Sequence, residues 1–483
     1  MKKQVSVEKL KILSGKKIIE ALSIIDKGAQ GICFVVDCDN KLLGTLTDGD
    51  VRRALLENIN INEKVDIVLN KNYVYIEKKT EIKKIQELLG KYTYIPVLDE
   101  AHRLIDYASN SKYCNIPLAQ PNLVGKELEY VTDCILSGWI SSRGKYVNEF
   151  ESKFGEYVEN NNVVAVSNGT VALHLALITL GVGPGDEVIV PNLTFVAPVN
   201  AVIYVGALPV LVDVDIDTLA INVEGIKNSI TKNTKAIIPV HLYGHPAAMD
   251  EIVKIANAHN LLIIEDCAEA LGSKINNRHV GNQGDAAIFS FYGNKTITTG
   301  EGGVVIFKDE RNFNKAKVLR DHGMSVSKRY WHEFIGYNYR ITNIQAAIGV
   351  AQLERIDSLV EKKKYIAEEY SKHLSNIDGI QLPQEIGNVN NSYWLYTILL
   401  PKKCINNRDN IIEELDILGI EVRPIFYPVN TMPPYKYLNK VGEFYKNSDY
   451  ISALGMSLPT TYDIADDQIQ YVCDCLIDLI KKY

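Results

Sequence analysis

The sequence SFYGNKTITTGEGG occupies residues 290–303, and it guides the interpretation of the rest of the chain. An apolar strand at residues 286–291 leads into this polar loop, and a second apolar strand at residues 304–307 follows its glycines. The loop contains Lys295, and the hydroxyl of Ser290 precedes it by five positions. A lysine between two buried strands is usually a solvated loop residue. Here, however, glycines let the backbone approach a ligand closely. The loop therefore favours a lysine that forms a Schiff base with an aldehyde cofactor, while Ser290 holds the cofactor's phosphate.

Length and composition are those of a globular protein of two or three domains. The 483 residues are 46% hydrophobic and 23% charged, with a formal net charge of -7. This mildly acidic balance gives no electrostatic reason to expect nucleic acid or a membrane surface as a partner. The first eight residues lack the apolar run of a signal peptide, and no apolar stretch reaches the length of about 18 residues that spans a bilayer. We therefore expect a cytoplasmic protein.

The eight cysteines are scattered along the chain. Only Cys473 and Cys475 lie close together, and neither has a histidine or a further cysteine in ligand spacing. This usage is typical of thiols in a reducing compartment, and it predicts no metal site.

Residues 1–110 form a separate unit in which a pattern of strand, helix and strand occurs twice. The first copy has apolar runs at residues 31–37 and 42–46, and a weaker copy follows between residues 73 and 108. Such a period indicates an internal repeat. The unit resembles a tandem CBS (Bateman) module.

This resemblance implies a site for an adenine nucleotide in the first copy. In CBS modules a Thr or Ser and an Asp three residues later hold the nucleotide, and Thr47 and Asp50 match that pattern. The second copy has Ser109 but Lys112 where the Asp would fall, so we expect at most one site per chain. Alternatively, Thr47 and Asp50 only cap the helix that follows them, and the module has a structural or oligomerising role.

A strand-to-helix turn later in the chain has the composition of an anion site. The apolar run at residues 163–166 is followed by Asn168, Gly169 and Thr170, and then by an apolar helix. Free backbone N–H groups and the helix dipole both favour a phosphate at such a turn. We expect Gly169 and Thr170 to bind the cofactor phosphate together with Ser290.

Two further strand ends offer groups for a pyridine ring. Residues 261–264 are continuously apolar, as in a strand covered on both faces, and they lead into Glu265 and Asp266. A pyridoxal enzyme needs a carboxylate at the pyridine nitrogen, and an open α/β sheet places ligand groups at such strand ends. Phe195 follows another apolar strand, where an aromatic ring either stacks on the cofactor or packs in the core.

Taken in order, these segments resemble the DegT/DnrJ/EryC1/StrS family of sugar-nucleotide aminotransferases. The resemblance covers about residues 117–483 and rests on the turn at Gly169, on Phe195, on the motif Glu-Asp-x-Ala-x-Ala at residues 265–270 and on the loop around Lys295. It implies an α/β protein with the type I fold of pyridoxal-phosphate aminotransferases, which has a mostly parallel central sheet and a small C-terminal α/β domain. The expected divisions are the CBS pair at 1–110, a linker at 111–120, a large cofactor-binding domain at 121–355 and a small domain at 356–483.

The resemblance also implies the cofactor, pyridoxal 5'-phosphate, and the residues around it. Lys295 is expected to be the catalytic lysine bonded to the cofactor, and Asp266 is expected to contact the pyridine nitrogen. Glu269 is expected to contact the ring, although the family often has Gln or His at this position. Asn338 matches a residue that reaches the neighbouring subunit's cofactor phosphate, so we expect a homodimer or a higher homo-oligomer.

The substrates follow from the same resemblance. The runs at residues 336–340 and 423–435 are most similar to members that move an amino group from glutamate to C4 of GDP-4-keto-6-deoxymannose, for surface polysaccharides such as the lipopolysaccharide O-antigen. Substrate contacts are expected from His322, Arg423 and Tyr427.

Three alternatives remain open. In the first alternative, the substrate is a UDP- or dTDP-linked keto sugar instead of a GDP-linked one. A branch of the family that removes a sugar hydroxyl has histidine in place of the lysine, and Lys295 argues against it. A pyridoxal-binding regulator without turnover would have no use for the complete set of lysine and carboxylate.

Overall fold

A computed structural model of the chain describes residues 6–28, 30–77, 80, 82–109, 116–439 and 444–483. The chain divides into two compact units. The first unit contains residues 1–116 together with residues 414–420, and the second contains residues 117–413 and 421–483. Lys112 and residues 111–115 of the expected linker lie outside the described residues.

The first unit contains two small sheets of the same topology. Its strands are β1 (Lys11–Leu13), β2 (Ile32–Val36), β3 (Leu42–Thr47), β4 (Ile76–Glu77), β5 (Tyr94–Leu98) and β6 (Leu104–Ser109), and its helices are α1 (Ile18–Gly28), α2 (Asp48–Leu56) and α3 (Ile82–Leu89). The sheets have the orders β1-β2-β3 and β4-β5-β6. In each, the first pair of strands is parallel and the second pair is antiparallel. The structure therefore contains the internal repeat.

The two sheets share a core. Phe34 on β2 and Tyr107 on β6 are buried, and their ring centroids lie 6.0 Å apart. Leu42 and Leu98 belong to the same apolar cluster. Because this cluster contains residues of both copies, the two copies pack together around one core.

The second unit is organised around one large sheet. Its strands are β7 (Val163–Val166), β8 (Glu187–Pro191), β9 (Leu208–Val212), β10 (Thr234–Ile237), β11 (Leu262–Asp266), β12 (Lys274–Ile275), β13 (Arg278–His279), β14 (Ala286–Ser290), β15 (Gly303–Phe307), β16 (Val389–Asn390), β17 (Tyr396–Leu399), β18 (Arg423–Pro424) and β19 (Gly455–Leu458). Among the described residues the sheet has seven strands, in the order β7-β15-β14-β11-β10-β8-β9. Only β15 runs antiparallel to its neighbours. The predicted mostly parallel sheet is confirmed.

Helices cover both faces of this sheet and build the C-terminal part. They are α4 (Glu127–Ser137), α5 (Lys145–Val158), α6 (Gly169–Thr179), α7 (Ala197–Tyr204), α8 (Val223–Ser229), α9 (Met249–His259), α10 (Glu310–Arg320), α11 (Asn343–Leu353), α12 (Ile356–Leu374), α13 (Arg408–Ile417), α14 (Lys446–Leu454) and α15 (Asp466–Lys482). Helix α6 is apolar on almost every side and is buried against the sheet, as expected for a central helix. The C-terminal part has a small antiparallel sheet, β17-β19-β18, and the ring of Tyr396 on β17 stacks on that of Tyr370 on α12.

This topology brings the ends of several strands to one edge of the sheet. Strands β8, β10, β11 and β14 are parallel, and β7 has the same direction because both β7 and β14 are antiparallel to β15. The segments after β7, β8, β11 and β14 therefore meet at that edge, where ligands bind in open α/β sheets. No helix in the described part of the chain is long and apolar enough to cross a membrane.

Candidate active site

A cavity of about 590 Å³ lies at this edge of the large sheet. Its volume is in the usual range for cofactor and substrate pockets. Eight of the residues predicted from the sequence line it: Gly169, Thr170, Phe195, Asp266, Glu269, Ser290, Lys295 and Arg423. The sequence had placed these residues in separate segments, and the fold brings them together.

One end of the cavity is the turn between β7 and α6. The side chain of Asn168 caps the helix by accepting a hydrogen bond from the N–H of Val171, at 3.0 Å. A Cβ atom on Gly169 would lie 3.0 Å from the Cβ of Ser290, so the glycine lets the serine approach the start of the helix. The helix N-terminus and the serine hydroxyl together form an anion-binding corner.

Asp266 lies at the end of β11 and is buried, with 4% of its surface exposed. One of its carboxylate oxygens accepts a hydrogen bond from the N–H of Ala268, at 3.0 Å. Burial raises the pKa of Asp266, and this hydrogen bond and the charge of Lys295 oppose that shift. A bound pyridinium N–H would supply the positive partner that this buried carboxylate needs.

Lys295 and Glu269 face each other inside the cavity. Their Nζ and Oε1 atoms lie 3.6 Å apart, and Glu269 also accepts a hydrogen bond from the N–H of Tyr243 at 2.9 Å. Burial lowers the pKa of Lys295, while the charges of Glu269 and Asp266 oppose that change. Burial raises the pKa of Glu269, and Lys295 opposes that shift in turn. A lysine whose pKa is lowered is more often in the neutral form, which can act as a nucleophile or a base.

Sequence reasoning missed Trp394, which lines the cavity. The amine of Lys295 lies 3.6 Å from the centroid of the Trp394 ring, and the indole N–H donates to the carbonyl of Asn294 at 2.8 Å. The ring of Tyr243 is nearly parallel to that of Trp394, with their centroids 6.1 Å apart and an interplanar angle of 9°. A tryptophan two residues before an apolar strand reads as core, so no local pattern indicated this position.

A buried cluster behind the cavity fixes the strand that carries Asp266. His241, Glu265 and Cys267 place possible metal ligands within 4.8 Å of one another. However, Nδ1 of His241 accepts from the N–H of Ala247, and Nε2 lies 3.2 Å from Glu265. The carboxylate of Glu265 also accepts hydrogen bonds from the N–H groups of three residues: Gly281, Gln283 and Gly284. Because the protein itself uses the lone pairs of His241 and Glu265, this arrangement is typical of a structural network.

Three predicted site residues do not line the cavity of their own chain. Arg340 donates two hydrogen bonds to the side chain of Asn338, at 3.0 and 2.8 Å, and lies 3.2 Å from Nε2 of His322. Tyr427 is 52% exposed, and the guanidinium of Arg408 lies 5.9 Å from its ring centroid. A role for these residues would require a neighbouring subunit or a bound substrate.

In the first unit, the two candidate nucleotide ligands bind each other. Thr47 caps α2 and accepts a hydrogen bond from the N–H of Asp50, while Asp50 accepts from both the N–H and the hydroxyl of Thr47. Asp50 also pairs with Arg53. These contacts form a complete capping box.

Comparison with known proteins places this geometry in a family. The profile of the DegT/DnrJ/EryC1/StrS aminotransferase family matches residues 121–477, and that of the CBS domain matches residues 8–57. The chain belongs to the DegT/DnrJ/EryC1/StrS aminotransferase family. It is a pyridoxal-phosphate-dependent sugar aminotransferase with an N-terminal CBS domain. The family, the enzyme class, the cofactor and the fold predicted from the sequence are thus confirmed.

The chain matches named members of this family over almost the whole length of each relative. The chain is 46% identical over 364 residues to the GDP-perosamine synthase of Escherichia coli O157:H7, which covers 75% of this chain and 97% of the relative. It is 44% identical over 368 residues to the GDP-perosamine synthase of Vibrio cholerae, with coverage of 76% and 99%. The solved structure of Helicobacter pylori PseC, an aminotransferase involved in the biosynthesis of pseudoaminic acid, matches with a TM-score of 0.73 and 25% identity, and covers 76% of this chain and 100% of that chain.

The residues of the cavity fit pyridoxal phosphate. The side chains of Thr194 and Asn294 line it, and an oxygen atom of each is buried without a hydrogen-bond partner among the described residues. Buried polar atoms without partners are rare in native structures, so such atoms around a cavity indicate a polar ligand. Gly169 and Ser290 suit its phosphate, Asp266 suits its ring nitrogen, and Lys295 suits its aldehyde.

Proposed function

We propose that this aminotransferase moves an amino group from glutamate to C4 of GDP-4-keto-6-deoxymannose and so forms GDP-perosamine. The observation that carries the proposal is the buried amine of Lys295, which lies 3.6 Å from Glu269 in the cavity that Asp266 also lines. Support for the substrate comes from the two GDP-perosamine synthases, which are 44% and 46% identical to the chain. The product would be used for surface polysaccharide such as the O-antigen, and the reaction would take place in the cytoplasm.

Each cavity residue has a proposed role in this reaction. Bound pyridoxal phosphate supplies a ring that takes up the electrons released when a C–H bond breaks. Gly169, Thr170 and Ser290 hold its phosphate, and Asp266 keeps the ring nitrogen protonated. Lys295 would hold the cofactor's aldehyde through its amine, and once the amino group of glutamate had displaced that amine, Lys295 would take up the proton from the α-carbon of glutamate.

The remaining side chains of the cavity orient the cofactor and the substrate. Phe195 is 55% exposed and lies 5.9 Å from Phe426, so its ring is available to stack on a planar group. Glu269 pairs with the amine of Lys295, and it would contact the ring of the bound cofactor. Arg423 lines the cavity and pairs with Glu421 at 3.0 Å, where a substrate phosphate could replace the carboxylate.

We further propose that the active unit is a homodimer. Asn338 lies on a loop whose apolar side chains are unusually exposed in a single chain: Val326 by 92%, Tyr330 by 75% and Ile335 by 93%. Exposed apolar groups of this kind mark protein interfaces. Asn338, and with it His322 and Tyr427, would then contribute to the partner's site. Inactive Lys295→Ala and Asn338→Ala chains should regain partial activity when mixed, whereas two chains that stay inactive together would contradict a shared site.

For the N-terminal unit we propose a regulatory or oligomerising role, with the divisions at residues 110, 120 and 355 as expected from the sequence. An adenine nucleotide at Thr47 and Asp50 would have to open their capping box, because the polar atoms of both side chains are already used. Calorimetry with adenine nucleotides on the full chain and on Asp50→Ala tests this site. If Asp50→Ala binds adenine nucleotides as tightly as the wild type, the proposed site at Thr47 and Asp50 is wrong.

The substrate is tested by offering GDP-, UDP- and dTDP-linked 4-keto-6-deoxy sugars with isotope-labelled glutamate. We expect labelled nitrogen in the GDP sugar, at least tenfold faster than in the other two. A clear preference for UDP or dTDP sugars would leave the aminotransferase assignment intact and overturn the proposed substrate. Cofactor binding without transfer to any sugar would favour the regulator.

A further inference from the structure

A second lysine, Lys363, is buried next to the active site. It lies on α12 and is 8% exposed. Its Nζ donates to the carbonyl of Trp394 at 3.1 Å and to the hydroxyl of Thr460 at 3.0 Å. No ion pair joins it to a carboxylate of the described residues, and burial alone lowers its pKa to about 7. A buried amine without a counter-ion is costly, so its position calls for a functional reason.

The carbonyl of Trp394 is held from two directions. Besides the amine of Lys363, the hydroxyl of Thr460 lies 3.0 Å from the same oxygen. The preceding residue, Tyr393, has a φ of 48°, a left-handed conformation that is unfavourable for a large side chain. Strained backbone of this kind persists only where surrounding contacts fix it. Lys363 and Thr460 supply such contacts immediately after the strained residue.

The side chain of Trp394 in turn contacts the active lysine. Its N–H binds the carbonyl of Asn294, the residue before Lys295, and its ring centroid lies 3.6 Å from the amine of Lys295. In its protonated form, an amine over an indole ring is attracted by the ring's negative face. Lys295 and Lys363 also line one small cavity of about 20 Å³. A displacement of the Trp394 backbone would therefore move the ring that positions the amine.

We propose that Lys363 is a positioning residue for the reaction: it fixes the carbonyl of Trp394, and the Trp394 ring thereby holds the amine of Lys295 in the cavity. The inference rests on the role proposed for Lys295 but not on which sugar nucleotide is the substrate. Lys363→Met keeps the aliphatic stem and removes both hydrogen bonds. Lys364→Met is the matched control, because the neighbouring Lys364 pairs with Glu361 at the surface.

The test uses the full-length chain labelled with fluorotryptophan, without cofactor or substrate. The chain has three tryptophans, and the fluorine resonance of Trp394 is assigned by its loss in Trp394→Phe. In Lys363→Met we expect that resonance to shift while the other two stay in place. In Lys364→Met all three should remain unchanged. An unmoved Trp394 resonance in Lys363→Met would overturn the proposal, whatever the substrate is.

Kinetics distinguish positioning from a general loss of structure. With the cofactor bound, Lys363→Met should lower kcat about tenfold, the size of loss expected when the two hydrogen bonds of this amine are removed, and leave KM for glutamate within about twofold. In the Trp394→Phe background the same substitution should add less than about twofold, because residues that act through each other are not additive. An equal loss in both backgrounds would contradict a route through Trp394. If Lys363→Met does not fold, Thr460→Val must shift the Trp394 resonance, and an unchanged resonance there also overturns the proposal.

Discussion

The two units of the chain both place a hydroxyl and a carboxylate at strand ends, yet they use them differently. In the first unit, Thr47 and Asp50 satisfy each other and form a capping box at the start of α2. In the second unit, Asp266 is buried at the end of β11 and lines a cavity. Two other side chains that line this cavity have buried oxygen atoms without a hydrogen-bond partner among the described residues. Polar groups that satisfy one another stabilise a fold, whereas buried polar groups left around a cavity indicate a ligand.

The largest expected effect comes from removing the amine at the centre of the cavity. Lys295→Ala should lose the absorbance band of the cofactor bonded to lysine and reduce turnover more than about 1,000-fold, because nucleophile and base are lost together. An unchanged circular dichroism spectrum of Lys295→Ala would assign the loss of turnover to the missing amine and not to misfolding. Lys364→Ala, at the surface of α12, is the control. Turnover at the wild-type rate in Lys295→Ala would show that Lys295 has no role in the reaction, and the contrast between a reactive site in the second unit and a capping box in the first would be wrong.

A smaller effect is expected at the other end of the cofactor ring. Asp266→Asn should retain the cofactor through Ser290 and the turn at Gly169, but turnover should fall by a factor on the order of 100, because a preorganised charge is lost. The measurement is turnover at equal cofactor occupancy, judged by absorbance. Asp309→Asn, at the N-cap of α10, serves as the control for a carboxylate outside the cavity. A wild-type rate in Asp266→Asn would assign the role to another carboxylate.

The charge of Glu269 should change the pH dependence of Lys295. Glu269 opposes the lowering of the pKa of Lys295, so Glu269→Gln should lower that pKa further. The amine would then become neutral, and reactive, at a lower pH than in the wild type. Labelling of Lys295 by an acylating reagent in the cofactor-free chain, followed by mass spectrometry across pH, measures this. A curve displaced to higher pH would show that Glu269 does not stabilise the charged amine.

The smallest effect is expected in the first unit. Asp50→Ala removes half of the capping box of α2, which costs about 1 kcal/mol. Amide hydrogens of α2 should therefore exchange roughly fivefold faster. Aminotransferase turnover should stay at the wild-type level. Loss of turnover without faster exchange would mean that Asp50 acts on the reaction rather than on the helix.

The sequence predicted the parts of the site that lie at strand ends. Apolar runs that end in polar residues located Gly169, Asp266 and Ser290, because strand ends of a parallel sheet meet at one edge. It did not reveal Trp394, Tyr243 or Lys363. Trp394 reaches the cavity through a bend after the left-handed Tyr393, and Tyr243 is itself left-handed with a φ of 53°. Such backbone conformations have no signal in a sequence unless glycine occupies them.

Long-range contacts explain why the sequence did not indicate Lys363. A lysine at position 363 fits the charged pattern of a surface helix, and only the packing of α12 against the segment of Trp394 and Thr460 shows that it is buried. In the first unit, the repeat was readable because both copies keep the same order of strands and helices.

The central claim is that Lys295 is the lysine that carries the cofactor, and borohydride tests it directly. The full-length protein is loaded with pyridoxal phosphate and treated with borohydride, which fixes the cofactor to whichever amine holds it. Peptide mapping then identifies the modified residue. The account predicts a modification at Lys295 alone, and none in the Lys295→Ala chain. Modification at Lys363 or at another lysine, with Lys295 unmodified, would contradict it.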